Sequence, residues 1–149
     1  MSADPARVPP SGMERSLPHL RISAERVATD LRFALGDGWS CVVDDAFVLR
    51  VSGPSVADEV ALATHVTDLD EPDPTWSKAQ LSSVLEEDAD EAIAGEALEV
   101  LRAVGVTGPR CEEHGEPLGS CLSVWICPVG HDGPFVGDLA RSETTSATP

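Results

Sequence analysis

The chain has 149 residues, about one ordinary domain, and that length can bury roughly 68–70% of the unfolded surface without staples. Its 26 acids against 10 bases give a formal charge of −16. That is the wrong sign for a standalone nucleic-acid binder, because phosphate contacts need clustered Lys and Arg. No apolar run approaches the ~18 residues of a membrane-spanning helix, and Met1 to Leu20 lacks the apolar core of a secretory leader. These features point away from membrane, fibrous and secreted-toxin classes and towards a cytoplasmic protein. Lys78 is the single lysine, Asn and Tyr are missing, and Ile is scarce. Those residues use AT-rich codons, so a GC-rich, bacterial gene is expected, and part of the acidity is as readily a proteome-wide habit as a functional device.

In chain order, residues 1–20 hold Pro5, Pro9, Pro10 and Pro18 among Ser, Gly and mixed charge, which reads as a disordered arm. Ser23 is expected to cap a helix running to about Leu35, with Val27, Leu31 and Leu35 on one face and Gly36 as the stop. Trp39, Cys41 and Val43 then alternate, as do Phe47, Leu49 and Val51. Around the acidic turn Asp44–Asp45 these two runs predict a β-hairpin. Gly53-Pro54 ends the second strand. Ser55 is expected to open another helix, with Val56, Val60, Ala63, Val66 and Leu69 on its apolar side. The prolines of Asp68–Pro74 make that segment a loop. Its acids fit no EF-hand, since Asp73 and Ala79 stand where Gly and Glu are required.

Ser77 with Gln80 forms a capping box. Leu81, Val84, Leu85, Ala89, Ile93, Ala97, Val100, Leu101 and Val104 follow at helical spacing, as one long helix or as two with a turn near Glu86–Asp90. Gly105 and Gly108-Pro109 end it. The fold class expected is therefore α+β: an N-terminal helix, a β-hairpin and helices over 21–106, a small C-terminal β-hairpin module over 107–141, and a disordered Ser/Thr-rich tail over 142–149.

Chemistry concentrates in the C-terminal module. Cys111 and His114 are separated by two residues, Cys127 and His131 by three. Zinc prefers four tetrahedral N and S ligands delivered as two close pairs on separate turns. A two-residue gap lets one tight turn aim both side chains at one ion, and Gly130 permits the wider second turn. Cys111, His114, Cys127 and His131 are thus the expected ligands of one structural Zn2+ per chain, with Cys121 as an alternative ligand. Cys121 has an ordinary role too, as an inward hairpin residue alternating with Ser123 and Trp125. Without an oxidising compartment a disulfide among these thiols is disfavoured.

Over residues 110–135 the text resembles a zinc ribbon. Cys111-x-x-His114-Gly115-x-Pro117-Leu118 is similar to that family's first knuckle, with His in the second ligand place, and Trp125-x-Cys127-Pro128 to its second. The sequence departs where the family has a Cys two residues after the Pro-bearing Cys: His131 stands one place later. The resemblance implies a structural zinc and a β-hairpin, and names no partner.

Three functions follow, in descending order of support. The first is a non-enzymatic, acidic zinc-binding protein acting through contacts with a partner protein of basic surface. The second is a zinc-ribbon or helix-turn-helix regulator contacting nucleic acid, because Ala97–Val106 resembles the close of a recognition helix. Glu91, Glu96 and Glu99 oppose it, with Arg102 the only base there. The third is a zinc-dependent hydrolase using Glu112, Glu113, Glu116 or Asp132 as base, although His-Glu-x-x-His is missing. Cys41 on the hairpin reads as a small core residue, and His65 on the expected 55–67 helix and His19 in the arm have no partners in the sequence.

Overall fold

The first helix, α1 (Gly12–Leu35), begins well before the expected start at Ser23 and takes in Pro18. This computed structural model describes residues 12–62, 75, 77–111, 113–121, 123–129 and 131–140. Pro18 lacks the N–H of one helical hydrogen bond. The helix continues through it because Leu17 packs on the core before it and Leu20 is fully buried after it. Leu20, Ala24, Val27, Ala28 and Leu31 form the buried stripe. Ser23 does not cap: it lies within the helix, buried, and its hydroxyl donates to Asp90 at 2.5 Å.

The expected hairpin is β1 (Ser40–Val43) against β2 (Val48–Ser52). Cys41 pairs with Val51 and Val43 with Leu49, and all four side chains are buried. At the turn the Asp44 carboxylate accepts from the amides of Ala46 and Val48. The Val48 amide above all holds that carboxyl below its ordinary range. Gly53 is obligatory beyond β2, since a Cβ there would lie 2.6 Å from the Trp39 ring.

The helix expected to open at Ser55 is a strand instead. β3 (Ala57–Ala61) pairs antiparallel with β2, after a turn closed by the Gly53 amide on the Val56 carbonyl at 2.8 Å. Val56 and Val60 fit both periods on paper, and the open edge of β2 decides between them through main-chain pairing. The remainder of that expected helix and all of the Asp68–Pro74 loop lie outside the described residues, as do residues 1–11 and the tail from 141.

The long C-terminal helix is single: α2 (Lys78–Ala103) runs unbroken through Glu86–Asp90. Its capping box is present, with the Gln80 amide on Ser77 Oγ at 3.1 Å and the Ser77 amide on Gln80 Oε1 at 2.7 Å. At the other end the Val106 amide reaches the Leu101 carbonyl and the Gly105 amide reaches that of Arg102, the pair of bonds that closes a helix on a glycine. Alanines 89, 92, 94 and 97 are buried on this helix, and α1 packs closely against it.

A second antiparallel sheet follows, in the order β4 (Gly119–Cys121), β5 (Val124–Cys127), β6 (His131–Phe135). Here the expected inward position of Cys121 is corrected. Cys121 pairs with Val124 across a two-residue turn, and Trp125 pairs with Ser120. That register puts Cys121 on the face opposite to Trp125; Cys121 is exposed and Trp125 is fully buried. The architecture is α+β: the described residues form two long helices and two three-stranded antiparallel sheets.

One apolar core runs from α1 and α2 through the first sheet to Cys111, Leu118, Trp125, Cys127 and Val136. It crosses the residue 106/107 boundary expected between the two parts. Two buried carboxylates pin its elements. Asp90 on α2 accepts from Ser23 and from the Arg26 guanidinium at 3.1–3.2 Å. Asp30 on α1 accepts from Trp125 Nε1 at 2.7 Å, the Gly137 amide at 2.7 Å and the Leu139 amide at 3.2 Å. Burial pushes the Asp30 carboxyl above its ordinary range, and these three donors pull it part of the way back.

Candidate metal centre

Two turns deliver the candidate ligands. After α2 the chain forms a narrow loop whose base is held by the Arg110–Pro117 bridge and by the Leu118 amide on the buried Pro109 carbonyl at 2.8 Å. At its tip the Cys111 amide donates to Glu116 O at 2.8 Å and the Gly115 amide to Cys111 O at 2.7 Å. Gly115 has φ +70°, a left-handed conformation that glycine adopts without steric cost. Arg110 Nη1 donates to the Gly115 carbonyl at 2.6 Å and fixes the turn from outside. This geometry brings Cys111 and His114 to one side. The second turn follows β5, where the Val129 amide donates to the Cys127 sulfur.

Cys111 Sγ, His114 Nδ1 and Cys127 Sγ all lie within 4.8 Å of one another. Nδ1 of His114 stands 3.5 Å from Cys111 Sγ and 3.4 Å from Cys127 Sγ. Zinc binds thiolate at ~2.3 Å and imidazole at ~2.0–2.1 Å, and at the tetrahedral angle those legs separate S from N by about 3.5 Å. The imidazole therefore sits where one edge of a tetrahedron would meet each sulfur. Both cysteines are buried, and His114 is exposed at the rim.

The electrostatics fit a cation as well. Burial raises the Cys127 thiol, and the neighbouring Cys111 and Glu116 raise it further. Two thiolates side by side repel, and a divalent cation between them reverses that balance and deprotonates both. The cluster is thus a Cys2His group able to hold a metal ion.

The other expected ligands fall differently. His131 opens β6 with its Cα directly across from Cys127 in the register. Its side chain lies outside the described part. Cys121 does not belong to the group. Glu113 and Glu116 are exposed on the first turn, and Glu112 lies outside the described residues.

Sequence reasoning placed Trp125 in the second knuckle but missed Asp30, the partner that anchors this centre. Trp125, two positions before Cys127, is tied to Asp30 on α1. The available signal was Ser23 and Asp30, two polar residues seven apart on the apolar stripe of α1, a spacing that puts them on one helix face.

Among the described residues no helix is long and apolar enough to cross a membrane. No family model, curated protein or solved structure matches this chain, so the zinc-ribbon resemblance rests on residues 110–135 alone.

Proposed function

We propose that Cys111, His114, Cys127 and His131 hold one structural zinc ion in a zinc-ribbon-like module, and that the protein acts without catalysis, through contacts with a partner protein of basic surface. The observation that carries the metal is His114 Nδ1 at 3.4 and 3.5 Å from two cysteine sulfurs. His131 is assigned as the fourth ligand because its Cα opposes that of Cys127. Four protein ligands make a closed, structural site, whereas a catalytic zinc keeps one position for water.

The partner reading draws on charge. A formal −16 disfavours free nucleic acid and favours cationic protein surfaces. The regulator reading has less support, since α2 offers no turn to present a recognition helix. The zinc reading is tested by elemental analysis of the purified, desalted protein, with X-ray absorption for ligand type. About one zinc per chain with two sulfur and two nitrogen ligands is expected. A metal-free protein of unchanged fold and stability refutes it, and a zinc with one water ligand moves the hydrolase reading to first place.

A further inference from the structure

Away from the metal centre, a groove of about 550 Å3 opens between the first half of α2 and the chain just after β6. Arg26 of α1 lies in it, with Glu86, Glu87 and Asp90 on the α2 side and Phe135 and Asp138 on the other. Arg26 is the only base among its described lining residues. Its guanidinium is already engaged, 2.6 Å from Glu86 and 3.1 Å from Asp90. Among the described lining residues, four carboxylates against one guanidinium make the groove strongly negative.

The groove also has an aromatic wall. Phe135 is 62% exposed, although large apolar side chains lower their free energy by leaving water. It pairs across the sheet with half-buried Val124 and so extends an apolar face to the groove's mouth. The outer surface of α2 beside it is crowded with like charge: burial, then Glu91 and Glu87, push the Asp88 carboxyl upwards.

An aromatic face next to carboxylates suits one chemical group best. A guanidinium stacks on a ring and offers a planar fork of donors to carboxylates, whereas an ammonium is a strongly hydrated point charge. A second copy of this chain brings the same negative charge and is repelled, and a phosphate-bearing partner is repelled likewise.

We propose that this groove docks an arginine-bearing segment of a partner protein, with the guanidinium against Phe135 and the carboxylates of the groove. The proposal rests on the protein-contact reading above and adds its place and its chemistry.

The test is fluorescence anisotropy of labelled nona-arginine and nona-lysine peptides on the full-length, zinc-loaded protein at about 150 mM salt, where exposed charges are screened beyond ~8 Å. Nona-arginine is expected to bind more tightly than nona-lysine. Phe135→Ala is expected to weaken nona-arginine about 3-fold, as for an exposed cation–π contact, and Glu87→Gln to weaken it similarly. The double variant Asp58→Asn with Glu59→Gln, on exposed β3, should leave binding unchanged. An equal loss in the β3 variant, equal affinity for the two peptides, or no binding of either overturns the proposal. Tighter nona-arginine binding by Arg141→Gln overturns it too, because the groove's occupant is then the chain's own Arg141. Zinc content and melting temperature of the same samples report on the metal reading separately, since Cys111, His114 and Cys127 do not line the groove.

Discussion

Between α1 and α2 the buried side chains are mostly aliphatic: Leu20, Val27 and Leu31 face Ala89, Ile93, Ala97 and Leu101. Around β4–β6 one large side chain, Trp125, is fully buried, and the other described apolar side chains buried there are Cys111, Leu118, Cys127 and Val136. The first region has enough apolar area to order itself. The second has little, and relies on a few directed bonds: Trp125 to Asp30, Gly137 to Asp30, and the Cys2His cluster. Burial through many weak contacts tolerates the loss of any one, whereas a region held by few strong bonds does not. The two regions nevertheless share one core, so damage to the second should reach the first.

The largest effect expected is from Cys127→Ser or from chelation. Structural zinc in small modules contributes on the order of 10 kcal/mol, far more than the aliphatic contacts of the second sheet can replace. On the zinc reading proposed above, the ion is lost, Trp125 emission shifts to the red as the ring meets water, and the thermal transition of the whole chain falls as one. If far-UV helical signal and its melting point survive chelation while Trp125 becomes exposed, the two regions are independent and the shared core does not couple them.

Trp125→Phe is milder. It keeps an aromatic ring in the core and removes the Nε1 donor, leaving the buried Asp30 one partner short. The expected loss is about 1–3 kcal/mol, read from the denaturant midpoint, with zinc content unchanged. A variant of native stability shows that the Gly137 and Leu139 amides suffice for Asp30.

Asp30 also sets a pH signature. Its folded-state carboxyl lies above its ordinary value of 3.8, so between those two values the folded chain binds more protons than the unfolded one. Stability from this group is therefore fully present below the ordinary value and declines as pH rises through the folded one. The stability deficit of Asp30→Asn relative to the parent chain should widen as pH falls from 7 into the carboxylate range. Urea titrations at several pH values check this. Asp44 is held below its ordinary range and works in the opposite sense, contributing stability above that range and losing it in acid.

The smallest effect is that of Cys121→Ser. The side chain is exposed and outside the Cys2His group, so stability should change by no more than about 0.5 kcal/mol and zinc content should not change. Loss of zinc in this variant would make Cys121 the fourth ligand in place of His131.

Much of this arrangement is legible in the residues. The alternation of Trp39–Val43 and Phe47–Val51 is the β1–β2 hairpin, with its register fixed by which residues must be inside. The Ser77–Gln80 box marks the start of α2, and the 111/114 spacing with Cys127 marks the metal cluster. What failed was local pattern without a local cause. Val56 and Val60 satisfy a helix as well as a strand, and β2 chose the strand. Pro18 argues for an arm, and the burial of Leu20 carries the helix through it. Asp30 and Asp90 count as surface charge until their donors appear from other elements.

By itself, then, the sequence determined the interactions whose partners are near in the chain: caps, the first hairpin, and the pair of turns that can aim sulfur and imidazole at one ion. These follow from short-range sterics and from ligand chemistry, which few residues encode completely. Tertiary structure alone decided β3, the outward turn of Cys121, and the bond of Asp30 on α1 to Trp125 on β5, residues 95 apart. Each depends on a backbone edge or a buried donor supplied by a distant segment. A buried carboxylate is stable only where such donors converge, and no local pattern announces where that is.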